Sequence, residues 1–320
     1  MKLDVVVPTY NRSALLRKTI TSLLNATIPP GLKVAILVVD NNSKDDTRQV
    51  VQQLQSQISV QTSCSLVYVY ETAQGLSNAR NAGISAGSGE LIGFIDDDEE
   101  IAPDWYQVVA REFSDTATQF IGGPYLANYA APIPFWLPPG YHAAIGVVDP
   151  KPRTAFNPSF SGNLMGGNAV IRRSVFEVVG LYSPKLGRSG KGLLSEEDAE
   201  FYRRLLAANL HGLHVPDLII YHHIPAERLT LTYHRRWCFW RAVSQGVLDR
   251  ELQQPVRYSL GIPRYLIGRA IKSLLTLPLH FLRRKTRGVA FANELAMWDL
   301  AGFFYGKHFI DIDRYYSKTK

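Results

Sequence analysis

Cysteine is scarce in this sequence: 320 residues contain only Cys64 and Cys238. Two are too few for a disulfide framework, and neither stands in a CxxC pair or a cluster with metal-ligand spacing, so a reducing compartment is expected. Long apolar runs are missing too. The longest uncharged stretch of the C-terminal tail, Ser273–Leu282, has 10 residues and includes Pro278 and His280. A membrane-spanning helix needs roughly 20 predominantly apolar residues, so none is expected. The opening MKLDVVVPTYNR sets one basic residue ahead of a short Val5–Val7 run that ends at Pro8. A secretory signal needs a longer apolar core, and the segment is therefore expected to belong to the fold. No GxxxxGK[ST] loop occurs among Gly187, Gly190 and Gly192, which argues against a triphosphate P-loop. No internal repeat is evident. Hydrophobic residues at 46% and charged residues at 20% set aside a chain disordered throughout.

The first half alternates short β-branched runs with amphipathic stretches of helical length. Leu3–Val7, Lys33–Val39, Leu66–Tyr70 and Leu91–Ile95 read as strands, and Ser13–Asn25, Asp45–Gln57 and Ser77–Ala86 as helices with apolar positions three and four apart. This is an α/β pattern with a mostly parallel central sheet covered on both faces. Such sheets bind ligands beyond the carboxyl ends of their strands. From Gly122 to Phe160 eight prolines break any long element, giving an excursion expected to run over the active face. Regular structure resumes with a strand at Asn168–Ile171, a helix at Glu196–Ala208, and strands near His214 and Leu218–Tyr221. After Pro225 the chain turns helical, basic and aromatic.

The residues after the strands are polar: Pro8, Thr9, Tyr10, Asn11 and Arg12; Asp40, Asn41, Asn42 and Ser43; and the run Asp96, Asp97, Asp98, Glu99 and Glu100. Asn42, Ser43, Asp45 and Asp46 are good N-cap types, and capping accounts for them. Five successive acids are harder to explain that way. In an extended chain, residues two apart point to one side, which would aim Asp96 and Asp98 together. Such a pair suits a hard divalent cation, Mg²⁺ or Mn²⁺, that completes its shell with substrate phosphates. A solvated acidic turn is the alternative.

Six segments in order resemble the inverting, nucleotide-sugar-dependent glycosyltransferases of family two, with the GT-A fold. They are VVVPTYNR, VVDNNS, GLSNARNAG, FIDDDEE, GGNAVIRR and SEEDAEFYRRL, spanning roughly residues 3–225. The resemblance implies that residues 1–225 form the catalytic domain, with a nucleotide-sugar half over about 1–100 and an acceptor half over about 101–225. A C-terminal helical extension would follow over 226–320.

Carried over position by position, the resemblance implies that Pro8 and Tyr10 frame the nucleotide base, with Asn11 beside it. Asp40 would bond the base or its ribose, and Arg80 and Asn81 would lie near the nucleotide. Asp96 would meet the ribose or the metal, and Asp98 would coordinate the cation that bridges the diphosphate. His222, or else His223, would be a further metal or diphosphate contact. Asp97, Gly167, Asn168 and Glu197 would lie near the donor sugar and acceptor, with Arg228 a candidate for the diphosphate. Asp198 would be the general base that takes the acceptor's proton. An ordinary acidic first turn is the alternative for Glu196, Glu197 and Asp198. The loop around Gly187–Gly192 would close over bound donor.

The formal charge of +7 is unevenly spread. Residues 1–224 carry 18 Lys and Arg against 21 Asp and Glu, whereas residues 225–320 carry 17 against 7, or +10. Arginines flanking apolar and aromatic stretches suggest a helix lying along an anionic membrane surface. A helical subdomain packed on the catalytic core, or on a second copy in a homo-oligomer, is the alternative. No recognisable nucleic-acid module accompanies the charge, so nucleic acid is not an expected partner. The expected place is the cytoplasm, with peripheral attachment to the inner face of the cytoplasmic membrane.

The leading expectation is therefore an enzyme that moves a sugar, from a UDP-sugar donor, to a saccharide or lipid-linked saccharide in cell-surface polysaccharide assembly. A nucleotidyltransferase would open with a glycine-rich phosphate loop where this chain has PTYNRS. A silent nucleotide-sugar-binding adaptor would have no use for Asp96, Asp98 and Asp198 together.

Overall fold

Period-two alternation in the β-branched runs decides the architecture. In the computed structural model, β1 (Lys2–Thr9), α1 (Ser13–Asn25), β2 (Lys33–Asp40), α2 (Thr47–Gln55), β3 (Cys64–Tyr70), α3 (Leu76–Ala86) and β4 (Leu91–Phe94) follow one another as the sequence pattern requires. Val5, Val7, Ile36 and Val38 point to one face of the sheet, where they pack with Leu16, Ile20, Val51 and Leu54 of α1 and α2. Val6, Leu37 and Val39 point to the other, against Ala79 and Ile84 of α3. Both faces of β1, β2 and β4 are buried, so their central residues are mostly apolar, whereas the edge strand β3 exposes Ser65, Val67 and Tyr70. Gly83 lets α3 press onto β1, because a Cβ there would run into Val6.

The description covers residues 1–58, 63–137, 142, 144–189, 192–251, 253, 256–281, 287–311 and 315. Gly190, Leu282 and two of the eight prolines, Pro138 and Pro139, which entered the sequence reading, lie outside it. Beyond β4 come β5 (Glu99–Ile101), α4 (Trp105–Glu112), β6 (Phe120–Gly122), β7 (Tyr125–Tyr129), β8 (Thr154–Ala155), β9 (Ala169–Arg172), α5 (Arg173–Val179), α6 (Glu197–Ala207), β10 (Gly212–His214) and β11 (Ile220–Ile224). Among the described residues the main sheet has the order β3-β2-β1-β4-β9-β6-β10-β8, and a smaller sheet the order β5-β11-β7. The β1–β4 half is parallel throughout. In the other half β9 runs antiparallel to both β4 and β6, so the sheet is mixed. The proline-rich excursion is not wholly irregular, since it supplies β7 and β8.

Local chemistry sets the boundaries. The helix expected from Asp45 starts at Thr47, with Asp46 at the N-cap and Asp45 just ahead of it: one Asp45 carboxylate oxygen accepts the Thr47 hydroxyl and amide, and the other accepts Ser13 N–H at 2.9 Å. These hydrogen bonds hold the Asp45 carboxyl below its usual range despite some desolvation. Burial pushes the Cys64 thiol up to about 11 and that of Cys238 up to about 12, so both behave as core side chains.

The chain divides into two compact units, one of residues 1–127, 148–184 and 197–223 and one of 128–147, 185–196 and 224–320. The second contains α7 (Leu231–Glu251), β12 (Tyr258–Ser259), β13 (Ile262–Pro263), α8 (Arg264–Phe281) and α9 (Arg287–His308). Glycines let α7 and α9 approach backbone to backbone: a Cβ at Gly302 or Gly306 would strike the carbonyl of Phe239 or Val243. Ion pairs join Arg235 to Glu294, Arg241 and Arg269 to Asp299, and Lys307 to Asp249. No helix among the described residues is long and apolar enough to cross a membrane.

Candidate active site

In the first unit, the carboxyl ends of β1, β2 and β4 carry the polar loops anticipated from the sequence. Asn11, at φ 54°, ties two of them together: its amide donates to Ser43 Oγ at 2.9 Å, and its side-chain oxygen accepts Lys44 N–H at 2.6 Å. Asp40 is buried and accepts hydrogen bonds from Ser43 N (2.8 Å) and Tyr68 Oη (2.7 Å). Burial and then that contact raise the Tyr68 phenol well above its normal range. Pro8 and Thr9, both buried, end β1, and Tyr10 is half-buried just beyond them.

The acidic run does not behave as an extended strand. β4 stops at Phe94 and residues 96–99 turn, with Glu99 N–H donating to Asp96 O at 3.2 Å. Strand alternation therefore does not govern Asp96 and Asp98, which face different cations. Asp98 accepts Arg12 Nη1 at 3.0 Å, and its other oxygen lies 3.6 Å from His222 Nε2. Asp96, the most exposed of the three aspartates at 32%, accepts Arg80 Nη2 at 3.2 Å. Asp97 turns inward, accepting Thr9 Oγ1 at 2.8 Å and Arg12 Nη1 at 3.0 Å. Burial pushes its carboxyl up to about 6 against the pull of Arg12.

Arg80 is the hub. The side chain is 1% exposed and lies over the rings of Phe94 and Tyr182, at 6.0 and 5.4 Å from their centroids. One terminal nitrogen meets Asp96, and the other meets Asp198 Oδ1 at 2.7 Å, with Glu197 Oε1 at 3.9 Å. Burial works against its charge, yet Asp198 and then Asp96 keep it firmly protonated. Asp198 stands in the first turn of α6, where the helix dipole favours an acid. Its second oxygen accepts Gly166 N–H at 2.9 Å. A Cβ at position 166 would collide with both Asp198 and Arg80, so only glycine leaves room for the pair.

Several anticipated site residues have structural duties. Asn81 donates to Tyr182 O at 2.8 Å and accepts Tyr182 N–H at 3.0 Å, which fixes the ring over Arg80. Fully buried Asn168 accepts Trp105 Nε1 at 3.0 Å and donates to Pro124 O and Leu218 O. Gly167 makes space for Glu99, whose carboxylate would overlap any Cβ there. Of the two histidines, His222 turns its ring to Asp98, whereas His223 contributes its backbone N–H to Asp98 O at 2.8 Å. Arg228 lies in a short turn, Ala226–Leu229, of the second unit.

The sequence reading assigned no role to Arg12, Thr9, Glu99 or Tyr182. Arg12 had a signal, a cation directly after β1 on the edge where the acids end β4. Glu99 was one acid among five. It is buried, accepts Asp96 N–H at 2.8 Å, and is pushed well above the usual carboxyl range by burial and then by Asp96 and Asp98. Tyr182 had none.

Donor types within reach suit a hard divalent ion. Asp98 offers an oxygen beside an imidazole nitrogen, both side chains at most 7% exposed, and Asp96 offers a partly exposed carboxylate. Among the described residues no three of these ligand types converge on one point. That matches an ion that takes one or two protein carboxylates and fills its shell with phosphate and water. A separate groove of about 540 Å³ at the opposite strand ends is lined by Lys2, Asp4, Lys33 and Cys64 and lacks such a donor set.

The sequence model of glycosyl transferase family 2 matches residues 4–180, more than half of the chain. This chain belongs to that family. Succinoglycan biosynthesis protein ExoM of Rhizobium meliloti is 24% identical over 265 residues, 82% of this chain and 80% of its own. The glucosyl-dolichyl phosphate glucuronosyltransferase of Haloferax volcanii is 25% identical over 255 residues, 78% of each chain. Among solved structures, the mannosyltransferase PcManGT of Pyrobaculum calidifontis, in complex with GDP-Man and Mn²⁺, superposes with a TM-score of 0.62 at 16% identity, covering 96% of this chain and 88% of that one. The fold is thus GT-A-like, and the family 2 member is an enzyme, a nucleotide-sugar-dependent glycosyltransferase.

Proposed function

We propose that this glycosyltransferase works with inversion, moving a sugar from a nucleoside diphosphate donor, a UDP-sugar first, to a hydroxyl of a saccharide or lipid-linked saccharide in polysaccharide assembly. The single observation that carries the reading is the meeting of Asp96 and Asp198, 102 positions apart in sequence, on the guanidinium of Arg80. The two relatives aligned over most of their length, one in succinoglycan biosynthesis and one acting on a dolichyl phosphate sugar, support the acceptor class.

In this reading Asp198 is the base. Arg80 Nη1 and Gly166 N–H occupy one lone-pair direction on each of its oxygens. Each carboxylate oxygen keeps a second for an incoming hydroxyl. The acceptor oxygen bonds to the anomeric carbon from the face opposite the diphosphate, its proton passes to Asp198, and the bond from that carbon to the phosphate oxygen breaks with its electron pair. Arg80 acts as a positioning residue that fixes the carboxylate's orientation. Asp40, Pro8, Tyr10 and Asn11 line the nucleotide side. Asp98, beside His222, would hold a divalent cation, Mg²⁺ or Mn²⁺, with Asp96 reached through the ion's water or phosphate shell, and the ion's charge would stabilise the departing diphosphate. The basic C-terminal helices keep the enzyme on the inner face of the cytoplasmic membrane, within reach of a lipid-linked acceptor.

A panel of nucleotide sugars assayed with Mg²⁺ or Mn²⁺, following donor binding, donor hydrolysis and anomeric configuration by NMR, tests the reading. An inverted product whose formation requires Asp198 supports it. A product of retained configuration, or full turnover by Asp198→Asn, ends it.

A further inference from the structure

We propose that the solvent face of α8 is a docking surface for an anionic lipid bilayer, with the helix lying in the plane of the headgroups. The assignment gives the proposed membrane attachment a specific face, yet it rests on the exposure of α8 itself and holds or fails without reference to the chemistry of transfer.

One stripe of α8 is committed to the second unit's own packing. Leu266, Ala270 and Ser273, spaced four and three apart, are 5%, 6% and 6% exposed, and Leu266 joins a cluster with Ala242, Ile262 and Phe303. On a water-facing helix the opposite stripe would be polar. Here it is not. Ile271, Leu274 and Leu275 are 55%, 58% and 72% exposed, and Tyr265 is 50% exposed. Arg264, Gly268, Ile271 and Leu275 recur at four, three and four residues, so they form one row along the outer face, with Lys272 beside it. Ile271, Leu274 and Leu275 thus form an apolar patch that points away from the helix's own core, with Arg264 and Lys272 on the same outer face.

Charge selects the occupant. Arg264–Phe281 contains Arg264, Arg269 and Lys272 and not one acidic residue. Arg269 is taken up by Asp299, which leaves Arg264 and Lys272 as the outward cations of α8; among the described residues Arg264 donates to the neutral Tyr258 O and Ser259 Oγ. A second copy seated face to face would bring these cations against their own kind. Anionic headgroups complement them while the patch enters the acyl boundary. At 18 residues and with this composition, α8 is not long and apolar enough to cross the bilayer.

The test is co-sedimentation of the full chain with vesicles of phosphatidylcholine containing phosphatidylglycerol, against pure phosphatidylcholine. Binding to the anionic vesicles is expected, weakening as salt rises. Leu274→Glu with Leu275→Glu should lower partitioning by about tenfold or more. Arg264→Gln with Lys272→Gln should lower it by about 30-fold, at roughly 1 kcal/mol per cation. The milder Ile271→Ser with Leu275→Ser guards against misfolding, as does an unchanged melting temperature. Val178→Glu, at a 65%-exposed position in the first unit, should bind like the parent. Equal binding to neutral vesicles, undiminished binding by both apolar-face variants, or a solution dimer that these variants dissolve without any vesicle binding would overturn the assignment.

Discussion

Asp198 and Gly166 are a matched pair: the backbone N–H of the glycine donates to the carboxylate at 2.9 Å, and the space a side chain would need at 166 is filled by that same carboxylate. Gly166→Ala is therefore expected to displace Asp198 and Arg80 together. Turnover should fall by about 100-fold, as a 1 Å misplacement of a reacting group does, while donor affinity measured by calorimetry changes little. Equal losses in both would show that position 166 serves the donor site as a whole.

Asp198→Asn keeps the shape of the side chain but cannot accept the proton. Steady-state transfer should drop by about 10²–10⁴, with nucleotide-sugar binding retained. Binding lost along with turnover would mean that Asp198 holds the donor instead.

Arg80 carries charge in a buried setting, so its removal leaves Asp96, Glu197 and Asp198 without their shared counter-ion. Breaking a buried pair on one side costs about 3–5 kcal/mol, and Arg80→Met should lower the thermal midpoint by several degrees. Arg80→Lys should recover part of the stability but little activity, since an ammonium cannot reach two carboxylates with the planar fork of a guanidinium. A melting curve unchanged by Arg80→Met would contradict the geometry.

Chelation should abolish activity, and Mn²⁺ or Mg²⁺ should restore it. In Asp98→Ala the metal concentration giving half-maximal donor binding should rise by about tenfold or more, with His222→Ala showing a smaller rise of the same kind. Titration of Mn²⁺ by electron paramagnetic resonance reads this without turnover, and an unchanged titration in both variants would remove these residues from the metal site.

His234 in α7 is fully buried, edge-on to Trp136 and Phe291 at 5.5 and 6.2 Å, and burial pushes it down to about 4. The unfolded chain, with an ordinary imidazole near 6.5, then binds more protons than the folded one between those values. Its contribution to stability is complete above about pH 6.5 and is lost as pH falls toward 4, by at most about 1.4 kcal/mol per pH unit. Denaturant midpoints of the parent and of His234→Phe, taken from pH 7.5 down to 4.5, should diverge, the parent losing more. Parallel curves would place the acid sensitivity elsewhere.

Strong periodicity made the β1–β4 half legible. Ser13–Asn25 matches α1 end to end, and the runs at Leu3, Lys33 and Leu91 are strands, because burial on both faces demands unbroken β-branched stretches. The short strands β5, β7 and β8 carry two to five residues each, too few to impress a period on the sequence. At the site, residue types were readable but orientations were not. Asn81 and Asn168 look like ligand contacts in a motif, yet each amide satisfies backbone or indole partners brought from 44 to 101 positions away. The turn after Phe94 likewise separates Asp96 from Asp98, which no local spacing announced.

The reversal of β9 has a consequence for how such an enzyme diversifies. Because Ala169 lies opposite Phe94 while the strand runs the other way, its beginning, rather than its end, reaches the rim where β1 and β4 finish. One rim is thus supplied by chain arriving as well as by chain departing. Under the function proposed above, the connection that precedes Gly166 would serve the sugar side while the turns of the first βα repeat serve the nucleotide, so the two preferences would be carried by separate loops.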